Sequence, residues 1–278
     1  MNRQKNLVVK YVLLVLFSLF ILVPFVWILY SSFRSESDLF SGKFFQNAGG
    51  LNLDNYASVL TKGQTGEFGT YFLNSLVIAS ISTVVVVLIA LFGAYALSRF
   101  RMRGKDSIIV SLLLSNMFPQ VLLVIPLFGI LFRMNLIDSY AGIIITHIIL
   151  GLPFGIWLIK GYFDGIPKEI DEAAMIDGLK PFGALFRIII PITAPGMVVA
   201  AFYAFMVSWG DFLFASLISQ SLGTQTLPIG LNKFFGSTQI HWGPINAATV
   251  ITIIPTIVLY AFLQKWVVEG LTAGSVKG

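Results

Sequence analysis

Residues 172–191 read EAAMIDGLKPFGALFRIIIP. The stretch is amphipathic and is punctuated by acids, a glycine and prolines, inside a chain that is otherwise mostly apolar. Just before it, Pro167 suits the first position of a helix. Glu169, Asp171 and Glu172 favour the positive N-terminal end of such a helix. Gly178 is a natural C-terminal stop. Pro181 opens a second short helix, which Pro191 is expected to end or kink. The first short helix should gather Ile166, Ile170, Ala173 and Ala174 near one face. Helices that lie on lipid headgroups are usually basic and carry bulky apolar residues. An acidic helix built around an Ala-Ala pair is better suited to docking in a protein groove.

The surroundings of this segment are those of a membrane protein. The chain of 278 residues is 56% hydrophobic and only 11% charged, against roughly 25% charged residues in ordinary globular domains. In water it would expose far more apolar area than a monomer tolerates. It has no cysteine, which excludes disulfides, thiol nucleophiles and thiolate metal sites. The formal charge of +5 raises the question of nucleic acid. The basic residues mostly flank apolar runs, however, and so report membrane topology; no nucleic-acid partner is expected.

A spanning helix needs about 20 apolar residues. Charge-free windows of that length predict six, over about 11–33, 73–97, 108–131, 140–160, 195–217 and 246–266. The fold class expected is an all-α integral membrane protein, one transmembrane domain over 1–278. A helix-turn-helix loop over about 163–194 joins helices four and five. The first window follows Lys5 and Lys10 but is too long for a signal peptide and lacks a small-residue cleavage pattern, so it is read as a retained helix. With the N-terminus in the cytoplasm, all but five of the 18 basic residues fall inside; Arg34, Lys43, Lys62, Arg133 and Lys233 are the exceptions. The loop SRFRMRGK is the strongest vote. Both termini and the 163–194 loop are then cytoplasmic.

No nucleotide-binding loop is present, since SGKF and RGKD lack the preceding spaced glycine and the following hydroxyl. Energy must come from a partner. No paired carboxylates or Ser-His arrangement stand at catalytic spacing, and no enzyme is expected. His147 and His241 have no carboxylates at ligand spacing, so no metal site is expected. His147 has no acidic neighbour on its own helix and reads as packed and hydrogen-bonded rather than as part of a proton relay.

Four residues are candidates for a substrate pathway: Asn74, Asn116, Trp209 and Asp211. Asp211 is the only acid in a plausible span, and intramembrane acids face cavities or partners. A helix starting near Pro195 would carry it about 24 Å along the axis, so an acid wetted at the helix end is an equal reading. Trp209 could stack on a sugar ring or anchor at the interface. Asn74, Ser75, Asn116 and Gln120 could line a pathway, or each could simply bond between helices. Pro119, Pro126 and Pro255 should kink their helices. Gly151 and Gly155 form a small-xxx-small pair for close packing.

The motif Glu172-Ala173-Ala174, with Gly178 six residues after the Glu and then Ile188 and Ile190-Pro191, resembles the EAA loop of ABC-importer permeases. LNLDNYASVL, YFLNSLVIAS, AYALSRFRMRGK, IPLFGILFRMNLIDS, LPFGIWLIKGYFDGIPKEIDEAAMIDG and the closing GLTAGSVKG are similar to segments of the carbohydrate-uptake, maltose-type branch. The likeness covers nearly the whole chain. It implies a six-helix permease subunit in the cell (inner) membrane of a bacterium or archaeon, surrounded by lipid and paired with a second, related permease. A cytoplasmic ATPase dimer would bind ATP and Mg, with no cofactor in this chain. An extracellular or periplasmic solute-binding protein would deliver a carbohydrate. The same likeness assigns ATPase coupling to Glu172, Ala173, Ala174, Gly178 and Pro191, and sends the GLTAGSVKG tail toward the ATPase interface. The family often has Trp-Asn before the acid where this chain has Trp209-Gly210-Asp211, so a polar contact at 210 does not transfer. The outer stretch SGKFFQNAGGLNLDNY suits a docking surface or a solvated connector.

Overall fold

The structure is a computed structural model that describes residues 2–40, 52–61, 67–235 and 240–275, with side chains described between 7 and 266. Most of the docking stretch 41–56 and the side chains of the 270–278 tail lie outside the described residues. The described residues are helical apart from turns and one isolated bridge. The chain divides into two compact units, residues 1–69 with 230–254, and residues 70–229 with 255–278.

The first unit contains α1 (Asn2–Ser32), α2 (Glu36–Phe40) and α3 (Asp54–Leu60). Every described side chain from Leu7 to Trp27 is exposed. A helix that is apolar all round and buries nothing against its own chain is one whose environment is lipid or another membrane helix. Its end is fixed to α3: the Asn55 side-chain amide donates to the carbonyls of Ser32 and Arg34 at 2.9 and 2.8 Å. The Tyr56 and Ser32 hydroxyls share a 2.7 Å bond.

The second unit is built around α7 (Tyr140–Asp164), which packs against α4 (Phe68–Arg99) and α10 (Ile190–Trp209). Gly151 and Gly155 make this approach possible. A Cβ on Gly155 would stand 3.3 Å from Val86 and 3.4 Å from Ala90, and one on Gly151 would stand 3.5 Å from Val86. The small-residue pair is therefore the seam with α4. On α10, Gly196 meets the ring of Tyr162 with no space for a side chain. Ala90, Ala94, Tyr95, Ile159, Phe163, Leu185, Ile189 and Ala200 form the buried core here.

Among the described residues five helices are long and apolar enough to cross a membrane, or six if one bent pair counts as a single span. The helix expected over 108–131, with kinks at Pro119 and Pro126, is divided into α5 (Lys105–Met117) and α6 (Val124–Arg133), joined by a 3₁₀ turn (Gln120–Leu123) and bent by 99°. The break stands at Pro119. Phe118 before it is extended (φ −73°, ψ 129°), as a residue ahead of proline prefers. Pro126 causes no break, because it lies in the first turn of α6, where an amide proton has no intrahelical partner. Pro255 sits inside α13 (Trp242–Ser275).

The expected helix over 195–217 is also redrawn. It begins as α9 (Pro181–Ala184), passes through a π turn (Leu185–Ile189) into α10 and stops at Trp209. A proline at 191 cannot donate to the Arg187 carbonyl, and its ring would clash there. The backbone widens just upstream instead. Pro191 therefore does not end the segment, one of the two outcomes expected of it; the helix continues into α10 through the π turn just upstream. Past Trp209, the Asp211 carboxylate accepts from the amides of Phe214 (3.3 Å) and Ala215 (2.9 Å). It starts a new helix, α11 (Leu213–Ile218), in the manner of an N-terminal cap. The short α12 (Leu227–Asn232) follows.

A loop-to-loop tie holds α11 to the start of α7. Asp138, at φ 55°, accepts from the amides of Gln220 and Ser221, both at 2.9 Å, and from the Thr224 hydroxyl. The Thr224 bond first, and then the Ser221 and Gln220 amides, hold the carboxyl well below the usual carboxylate range. A lowered folded pKa contributes stability that is present above the unfolded value of about 3.9 and is lost as pH falls through the folded value. Protection of the Gln220 and Ser221 amides, relative to their intrinsic exchange rates, is therefore expected to hold from neutral pH down to about pH 4 and to weaken only below it. The Asp138→Asn variant should exchange fast already at neutral pH, and equal protection in the two proteins would remove the tie.

Candidate functional site

The 163–194 segment folds from its own punctuation. Pro167 precedes α8 (Lys168–Ile176), and Glu169 and Asp171 stand in its first turn. The helix is closed by a Schellman arrangement. The Leu179 amide donates to the Ala174 carbonyl at 3.0 Å, the Gly178 amide to Met175 at 3.1 Å, and Gly178 has φ +88°. A left-handed residue there is what a glycine supplies without strain.

The face that α8 presents differs from the expected one. Ile166 and Ala174 are buried and Ile170 packs on the same core, but Ala173 points outward. The two alanines thus divide the work: Ala174 seats the helix on its own chain, and Ala173 is left on the free side. Glu172 and Gly178 are exposed with it. Sequence reasoning missed the apolar part of that surface. Ile176 is 86% exposed, and Met175, Phe182 and Phe186 are exposed as well. The signal was present as bulky residues in a segment too short to cross a membrane.

Polar anchors hold α8 to the 95–99 end of α4. The Arg99 Nε lies 2.8 Å from the Asp171 Oδ2, with both side chains 7% exposed. Arg99 Nη1 also donates to the Phe163 carbonyl at 3.0 Å. The Ser98 hydroxyl donates to Asp164 at 2.7 Å, and Lys160 pairs with Asp164. The Tyr95 hydroxyl reaches the Pro181 carbonyl at 3.2 Å. These contacts tie the α8 region to two long helices, α4 and α7.

The four pathway candidates are not gathered into one site. Asn74 is buried, with its amide nitrogen donating to the carbonyls of Leu222 (3.2 Å) and Gln225 (2.8 Å) and its oxygen accepting from the Tyr140 hydroxyl at 2.5 Å. Ser75 accepts from the Leu227 amide at 2.7 Å. Both hold the chain after α11 against α4. Trp209 is 4% exposed, stacked on Phe205 at 5.4 Å and edge-on to Phe72 at 5.6 Å, so its faces are not open to a sugar. Asn116 is exposed, and its amide nitrogen donates to the Leu112 carbonyl. It is the candidate left with polar surface for a solute.

Asp211 belongs to a buried chain of three. Its Oδ2 lies 3.2 Å from His147 Nε2, and His147 Nδ1 lies 2.6 Å from the Ser208 hydroxyl. With the proton on Nε2, Ser208 donates to the ring and the ring donates to the carboxylate, which satisfies every member. The His147 partners come from α10 and from the break after it, 61 and 64 residues away. No single-helix pattern reveals such a group. Among the described residues no three of His, Asp and Glu are grouped to hold a metal ion.

Residues 87–272 match the family described as the binding-protein-dependent transport system inner membrane component. The chain belongs to that family. It is similar to the inner membrane ABC transporter permease protein YcjP of Escherichia coli strain K12, 39% identical over 95% of this chain and 94% of the relative. It is also similar to the trehalose/maltose transport system permease protein MalG of Thermococcus litoralis, 34% identical over 95% and 94%. A solved bacterial ABC transporter involved in the import of alginate shares the fold. Its TM-score is 0.80 at 24% identity, covering 94% of this chain and 95% of that one. The protein is therefore a multi-pass, inner-membrane permease subunit of an ABC importer, and ATP hydrolysis belongs to a separate chain.

Proposed function

We propose that this permease forms half of the translocation pathway of an ATP-driven carbohydrate importer. In this reading the 163–194 segment faces the cytoplasm and docks in a cleft of an ATPase dimer. The ATPase binds ATP and Mg, a second related permease completes the pathway, and a solute-binding protein delivers cargo from outside. The observation that carries the reading is the outward face of α8. Glu172, Ala173, Met175 and Ile176 stand free on a helix anchored to α4 through Arg99 and Asp171. A short helix with a bulky apolar anchor and an acidic shoulder is the shape that fits a groove. The anchoring is what turns motion of the groove into rocking of the membrane helices. Gly178 sets where α8 ends, and Pro191, next to the π turn, sets how the following helix leaves. The carbohydrate assignment rests on relatives that carry trehalose, maltose or sulfoquinovosyl glycerol in their names. Asn116 is the residue proposed to meet the solute.

Mild-detergent purification of the chain from its native membranes tests this reading, with co-purifying proteins identified by mass spectrometry. An ATPase and a second permease are expected with the wild type. The Glu172→Lys and Ile176→Asp variants are expected to insert normally and to lose most of the ATPase, because truncating or charging a buried anchor costs upward of about 2 kcal/mol, some thirtyfold in affinity. A chain that purifies alone and moves solute in liposomes without ATP would overturn the proposal.

A further inference from the structure

The turn between α4 and α5, together with the first residue of α8, forms an open surface hollow of about 560 Å³ lined by residues 100–107 and Lys168. Four of its lining residues are cations, Arg101, Arg103, Lys105 and Lys168, and one is an acid, Asp106. None of the four is in an ion pair among the described residues; Lys105 acts on Asp164 only as a more distant charge. The neighbouring basic residues Arg99 and Lys160 are already taken by Asp171 and Asp164. The basic residues here thus divide into those already paired with an acid and those that surround a hollow with unanswered positive charge.

The position of the hollow narrows what answers it. It lies where the apolar run of α4, a membrane-spanning helix, gives out. Its wall keeps apolar surface exposed: Phe100 is half exposed and Met102 is exposed too. A soluble anion would use the charge but not the apolar wall. A molecule with a phosphate at one end and acyl chains at the other uses both. Polybasic clusters at the end of a spanning helix attract anionic headgroups.

We propose that this hollow is a binding site for the phosphate headgroup of an anionic phospholipid, clasped between the α4–α5 turn and Lys168. The bound lipid links α8 to the membrane surface, so that its phosphate holds the first residue of α8 beside the end of α4. The proposal rests on α4 being a membrane span and is independent of the ATPase-docking reading.

The test uses the whole chain with its co-purified partners in nanodiscs, titrated with fluorescent phosphatidylglycerol and, separately, fluorescent phosphatidylcholine. Wild type is expected to prefer phosphatidylglycerol. The triple variant Arg101→Gln/Arg103→Gln/Lys168→Gln is expected to bind it at least about tenfold more weakly, while the equally exposed change Arg133→Gln leaves it unchanged. Photoactivatable phosphatidylglycerol on wild type gives a second reading independent of the variant's folding, with adducts expected within residues 100–107 and at Lys168. Equal binding of the two lipids, unchanged binding in the triple variant, or adducts only elsewhere would overturn the site. Displacement of the lipid by inorganic phosphate at equal concentration would show a soluble-anion site and overturn the lipid assignment. Loss of ATPase capture with lipid binding unchanged would show a protein-docking face and overturn it too.

Discussion

An Arg99→Met variant is expected to unfold at a markedly lower temperature than wild type and to lose ATP-driven uptake. Methionine keeps much of the length and apolar stem of the arginine but leaves the Asp171 carboxylate, 7% exposed, without its cation. Removing one partner of a buried pair costs about 3–5 kcal/mol, because the remaining charge is stranded rather than because the pair itself was worth that much. The loss falls on the joint between α4 and α8. The Arg99 bond to the Phe163 carbonyl goes with it, so α8 should loosen before the rest of the chain. Limited proteolysis between residues 164 and 181, compared with the thermal midpoint in detergent, resolves that order. The double variant Arg99→Met/Asp171→Leu should recover most of the stability, since replacing both members of a buried pair by apolar groups is often neutral. A single variant that melts and transports as wild type would mean that the pair does not carry the joint.

The second large effect is expected at Asp211. Asp211→Ala removes one acceptor from three donors at once: His147 Nε2 and the amides of Phe214 and Ala215. Hydrogen bonds to a charged group contribute about 1.5–3 kcal/mol each, and buried donors left unanswered add their desolvation cost. A total loss of about 3–5 kcal/mol is therefore expected. Asp211→Asn keeps one acceptor oxygen and should lose less than half as much. Ser208→Ala, which removes only the bond to His147 Nδ1, should cost about 1 kcal/mol. Thermal midpoints across the three variants, with amide exchange at Phe214 and Ala215, measure the series. A cap-and-clamp residue loses stability and uptake together. An Asp211→Asn protein of wild-type stability whose uptake is abolished would instead make Asp211 a solute contact.

Much of the fold is legible in the residues because it depends on local chemistry. Apolar windows of spanning length, basic residues at their ends, Pro167, Gly178 and Pro181 act within a few residues of themselves. Four of the six expected spans appear with small shifts, while those over 108–131 and 195–217 are broken or redrawn, and Gly178 takes the left-handed conformation that its place requires. Gly151 and Gly155 were also readable, because small residues four apart have one physical use on a membrane helix. The candidate site was legible as a segment but not as a surface. Spacing alone puts Ala173 and Ala174 together, whereas the helix buries Ala174 and leaves Ala173 exposed.

The sequence by itself determined that this chain lives in a membrane, that it cannot bind nucleotide phosphates by a P-loop, and that an amphipathic helical segment interrupts its spans. Composition, window length and capping residues decide these matters without reference to any distant partner. Only the tertiary structure decided which polar residues were already engaged. Asn74 is satisfied by Tyr140 and by carbonyls beyond α11, Asp211 is held by His147, and the charge of Asp171 is opposed by that of Arg99. A buried polar group must find a partner, but the partner lies 64 to 151 residues away in these cases. The helix packing, not the order of residues along the chain, decides which group that is.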